Sequence, residues 1–72
     1  MKHPIKEVID LAGLNQIEAS RALGISQPLL SYRMRKEIEG SIEQSIEMAK
    51  ALRVKQYEIV TPGYSIKVKM KI

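Results

Sequence analysis

Residues 15–36, NQIEASRALGISQPLLSYRMRK, constrain the fold more than any other stretch, because they spell out two short helices and the corner between them. Asn15 is a strong N-cap, and Glu18 stands three residues later, the pairing of a capping box. Ile17, Ala19, Ser20 and Leu23 follow at helical positions. Ala19 and Ser20 are small, so a second helix can cross close to this one. Gly24 then supplies a left-handed residue without a Cβ clash, which ends the helix. Ile25 plugs the corner. Ser26 caps the next helix, and Pro28 falls in its first turn, where a missing N–H does no harm. Leu30 and Met34 lie four apart and Ile38 continues the stripe, so this helix is expected to bury that side and to run on toward Gly40.

The flanking segments read as scaffold. Pro4 opens a helix over residues 4–12 whose stripe is Ile5, Val8, Ile9 and Ala12, and Gly13 stops it. Gly40 breaks the chain after the third helix. Ser41 with Gln44 repeats the capping-box pattern ahead of Ile42, Ile46, Ala49 and Leu52 at helical spacing. Met48 reads as packing or rim. Residues 55–60, KQYEIV, fit either a short fifth helix or a strand rich in Tyr, Ile and Val. Thr61-Pro62-Gly63-Tyr64 is a turn of type II composition. The tail from Ser65 to Ile72 alternates apolar residues with lysines, the period of a half-buried strand. The expected fold is mostly α with a small β element: four or five helices over residues 1–60 and a C-terminal strand within 61–72.

That strand needs a partner for its N–H and C=O groups. It can fold back on 56–60 as a hairpin, or pair with the same strand of a second copy. Tight hairpins prefer type I′ or II′ turns, so a Pro-Gly type II turn favours the intersubunit ribbon. Ile66, Val68, Met70 and Ile72 are then the dimerisation residues. A hairpin whose outer edge pairs across a two-fold axis also fits.

The third helix leaves Gln27, Pro28, Ser31, Tyr32 and Arg35 outside. An amide and a guanidinium suit base edges, a hydroxyl and a phenol suit phosphates, and a short apolar contact suits a thymine methyl. The chain carries a formal net charge of +4, which favours a polyanionic partner. Arg33, Arg35 and Lys36 cluster at the end of this helix, and Glu37, Glu39, Glu43 and Glu47 just after read as a solvated acidic face turned from phosphate. An ordinary helical hairpin with a polar outer face is the plainer reading, and the Gly24 corner argues against it. There are no cysteines, which excludes disulfides and thiolate zinc sites. No apolar run approaches the ~18 residues of a membrane span, and no signal peptide is visible, so a cytoplasmic location is expected. His3, the only histidine, reads as a helix-start residue. No phosphate loop or Cys/His cluster is present, and no enzymatic activity, cofactor, metal or small-molecule substrate is expected.

The motif Gln16-x-x-Ala19-Ser20-x-x-x-Gly24-Ile25-Ser26-Gln27 resembles the lambda-repressor/Cro-like helix-turn-helix family of phage and bacterial transcriptional regulators. The likeness extends over about residues 4–60, with Pro4 to Ala12 similar to the family's first helix and Ser41 to Val60 to its fourth and fifth. It implies that Gln27, Pro28, Ser31, Tyr32 and Arg35 contact bases or nearby phosphates, and that Gln16 contacts the DNA backbone. The chain departs from the family at Arg33, where an apolar residue is usual and Met34 takes the packing role, a spacing closer to Fis-type helix-turn-helices. It departs again at Arg53, where the family often has glycine, so the last helix junction is expected to differ. Residues 61–72 have no clear counterpart.

The expected DNA-contacting set is therefore Gln16, Ser26, Gln27, Pro28, Ser31, Tyr32, Arg33, Arg35 and Lys36. The expected activity is binding of a palindromic operator by a homodimer, each third helix in a major groove, with half-sites about one helical turn apart. Two alternatives are weighed beside it: a protein-interaction module on the same fold, as in some antitoxins or anti-activators, and an architectural or recombination accessory factor.

Overall fold

Helix α1 (Pro4–Leu11) begins where His3 caps it, Nδ1 accepting the Ile5 N–H at 3.2 Å. The computed structural model describes residues 3–70. Within them follow α2 (Gln16–Leu23), α3 (Gln27–Met34), a 3-10 turn over Glu39–Ser41, α4 (Ile42–Ala51), and an antiparallel hairpin of β1 (Gln56–Val60) and β2 (Ser65–Lys69). The fold is thus mostly helical with a small two-stranded sheet. Ile5, Val8 and Ile9 of α1 meet Ala19, Leu30, Met48, Ala49, Val54, Tyr57 and Ile59 in one core. Met48 is core packing.

Local chemistry sets the helix limits. At α2 the capping box closes: the Glu18 N–H donates to Asn15 Oδ1 at 2.8 Å, and the Asn15 N–H to Glu18 Oε1 at 3.1 Å. Three helices stop alike, on a left-handed residue flanked by two reverse bonds. Gly13 (φ 74°) ends α1 and Gly24 (φ 69°) ends α2. After α4 the left-handed residue is Arg53 (φ 60°). The junction there keeps the backbone form that glycine favours, with arginine in its place.

Several sequence expectations are corrected. Helix α3 ends at Met34, a turn short of Ile38, which packs on the core from the connecting segment instead. Ser41 does not cap α4: it sits in αR, and its hydroxyl donates back to the Glu37 carbonyl at 2.9 Å. The 3-10 turn already leads the chain into α4, leaving no extended residue to serve as a cap. Of the two readings open for residues 56–60, the strand is the one that forms. The tail pairs with β1 of the same chain, the hairpin among the arrangements the sequence allows, with Tyr57 opposite Val68 and Ile59 opposite Ile66.

The hairpin closes because its turn is not of type II. Gly63 does not take the positive φ that type II requires. The Thr61 side chain completes the turn instead: its N–H and hydroxyl both donate to the Tyr64 carbonyl at 2.9 Å, and its Oγ1 accepts the Tyr64 N–H at 3.1 Å.

One polar pair lies inside. Ser45 Oγ donates to the Ile42 carbonyl at 2.7 Å, so its only proton is used, and the 2.7 Å bond to Tyr57 must be donated by the phenol. This bond fixes β1 against α4, and burial holds the Tyr57 hydroxyl above the ordinary phenol range.

Candidate nucleic-acid interface

Helix α3 is rooted on one side only. Leu30 is fully buried and Met34 is half-buried against the core, while Ala19 and Ser20 of α2 allow close packing. The opposite side is open. Pro28 and Tyr32 are exposed along it, with Tyr32 51% accessible; Ser31 is half-buried at its flank, and Gln27 is exposed in the first turn. Arg35 caps the C-terminus and Lys36 lies in the following turn, both exposed. The Lys36 ammonium stands 5.1 Å from the centre of the Tyr32 ring, a cation–π contact that draws the charge toward the helix face.

The exit of α3 is also tied to the start of α1. His3 Nδ1 accepts a backbone N–H, so its proton is on Nε2, which donates to the Lys36 carbonyl at 3.0 Å. His3 thus does more than start a helix: it anchors the turn that carries the basic pair. The 33-residue separation leaves no trace of this bond in sequence.

The structure leaves Gln27, Pro28, Tyr32, Arg35 and Lys36 exposed on α3 and the turn after it, with Ser31 half-buried among them. Ser26 is exposed at the N-cap, where Oγ accepts the Leu29 N–H at 3.3 Å. Gln16 is half-buried as the first residue of α2. Arg33 stands apart from the row. It is half-buried beside a cleft of about 190 Å³ with Leu23, Ile25, Gln44, Glu47, Met48 and Ala51. Leu29, absent from the expected set, is 38% exposed, and its spacing of three from Tyr32 was the signal for it. Glu37, Glu39, Glu43 and Glu47 are all exposed.

A second surface lies along β2. Ile66, Val68 and Met70 face inward like Tyr57 and Ile59, yet Ile66 is 40% exposed and the other two half-buried. Ile72 lies outside the described residues. A groove of about 450 Å³ separates this strand from α1, and the exposed Leu11 lines it beside Val68. The Met70 N–H donates to Lys55 and the Thr61 N–H to Tyr64, so by the antiparallel alternation residues 66 and 68 also bond toward β1. Residues 65, 67 and 69 consequently turn their N–H and C=O groups to the open edge.

Among the described residues, no group of three His, Cys, Asp or Glu side chains could hold a metal ion, and no helix is long and apolar enough to cross a membrane. Comparison with protein-family models, curated proteins and solved structures finds no match for this chain.

Proposed function

We propose that this chain is a sequence-specific double-stranded-DNA-binding transcriptional regulator, a Cro-type repressor working as a homodimer in a bacterial or phage-infected cytoplasm. The observation that carries this reading is the outward row of α3, rooted by Leu30 and ending in Arg35 and Lys36. A helix with its side chains is about 10–12 Å across and the major groove about 12 Å wide, so the row can enter it. Gln27 is placed to pair with adenine as a bidentate amide, and Arg35 with guanine or a phosphate. Lys36, Gln16 and Ser26 fall to phosphates, as does Arg33 from its flank. Selection of bound sites from random duplex DNA tests the proposal. An enriched, roughly palindromic site is expected, with affinity falling log-linearly in salt. Failure to enrich any site refutes it.

The homodimer rests on β2. Its open edge and the uncovered Ile66 suit pairing with a second copy around the same apolar residues. Lys67→Pro removes one outward N–H and leaves the intrachain ladder, a position where proline is tolerated. Sedimentation should then show monomer with unchanged circular dichroism; a persistent dimer places the interface elsewhere. The exposed Leu29 and Tyr32 favour one other reading, a protein-docking helix. Complex formation indifferent to salt would point that way.

A further inference from the structure

Between Gln27 at its start and Arg35 at its end, the exposed side of α3 is largely apolar. Pro28, Leu29 and Tyr32 occupy it at spacings of one, three and four, and all three are exposed. A single exposed leucine needs no explanation. Here a continuous apolar ridge is framed by Gln27 and Ser31 and closed by a basic pair, with Lys36 held over the Tyr32 ring. In the major groove the edges of adenine, guanine and cytosine present hydrogen-bonding groups that apolar side chains would leave unpaired. Thymine alone adds an apolar group, its C5 methyl.

Resting on the DNA-binding reading, we propose that Pro28, Leu29 and Tyr32 form a methyl-reading ridge that selects thymine at the centre of each half-site. The flanking Arg35 and Lys36 supply the charge complementarity that brings the ridge against a duplex. Gln27 then reads the edge of the half-site nearest the start of α3. Sequence preference is divided along the helix between one amide and one hydrophobic strip.

The test replaces each thymine of the selected site with deoxyuridine, which removes the methyl group and leaves the hydrogen-bonding edge unchanged. Each contacted thymine should weaken binding about fourfold when substituted, the equivalent of one buried methyl group. Replacing cytosine by 5-methylcytosine at those same positions, in sites carrying a C·G pair there, should recover part of the loss. Leu29→Ala and Tyr32→Ala, each checked by thermal melting, should bind more weakly and lose the difference between thymine and deoxyuridine. If an enriched site binds equally well with every thymine replaced, the ridge is refuted while DNA binding stands. If no duplex site is enriched at all, both proposals fall.

Discussion

Replacing Arg53 by glycine should stabilise this protein. Arg53 closes α4 through the same pair of bonds that glycine closes elsewhere: Val54 N–H to the Ala49 carbonyl at 2.8 Å and Arg53 N–H to Lys50 at 3.3 Å. The corresponding bonds after α2 run from Ile25 to Ser20 at 3.0 Å and from Gly24 to Arg21 at 3.2 Å. The left-handed backbone costs an L-residue about 1–2 kcal/mol. Glycine removes that strain but gains freedom in the unfolded chain, worth roughly 0.5–1 kcal/mol. The net gain is about 0.5–1 kcal/mol. Arg53 is exposed and makes no side-chain hydrogen bond or ion pair among the described residues, so little is lost with its side chain. In a domain of this size the gain corresponds to a rise in Tm of roughly 2–8 °C. Thermal and urea melts of wild type, Arg53→Gly and Arg53→Ala decide the matter. Alanine keeps the Cβ and loses the charge, so it separates strain from electrostatics. A glycine variant no more stable than the alanine variant would show that the arginine backbone is not strained.

Other outcomes follow from the same geometry. Gly24→Ala meets no atom within 4 Å of the added Cβ, yet it should destabilise by about 1 kcal/mol in urea melts, purely from its positive φ. Tyr57→Phe removes the donor to Ser45 and should cost about 1 kcal/mol. The folded phenol titrates above the unfolded one, so Tyr57 contributes stability that is intact below about pH 10 and is lost as pH rises through the folded value; alkaline unfolding should be shallower in the phenylalanine variant. Gln27→Ala should relax sequence preference, whereas Lys36→Ala should weaken all duplexes alike and reduce the salt slope by about 1, as measured by titration of selected and random DNA. Equal losses on both DNAs for both variants would contradict that division of roles.

Most helix limits were legible because single residues set them. Asn15 with Glu18, Gly24, Ser26 and Gly13 each perform the backbone task that their chemistry suggests, and the stripe of α1 fills the core. The errors share a cause, since they arose where a local pattern met a competing partner. Ile38 keeps helical spacing from Leu30 yet reaches the core from outside the helix. Ser41 resembles a cap but bonds backward to Glu37. Pro62-Gly63 matches type II, but Thr61 supplies side-chain bonds that allow another turn. At the interface, helical periodicity disclosed the exposed row. It could not disclose the His3 tie, which depends on how the first and third helices pack.

The core and the outward row draw on different residues, and that separation is the strongest physical argument for a recognition role. Leu30 and Met34 attach α3 to the body, while Ile5, Val8, Ile9, Met48, Ala49, Val54, Tyr57 and Ile59 build most of the core elsewhere. The outer positions of α3 are therefore free of packing duty. A helix under no other demand would place lysine and glutamate there, as α4 does with Glu43, Glu47 and Lys50. Instead α3 carries a proline, a leucine, a tyrosine and a glutamine, with its charge gathered at one end. The hairpin shows the complementary pattern: β1 buries Tyr57 and Ile59 in the core, but β2 covers itself incompletely, leaving Ile66 exposed beside an open edge. The proposed homodimer would bury that edge against a second copy. Pairing would also present two reading helices to one duplex, which is what a few base pairs per helix require for selective binding.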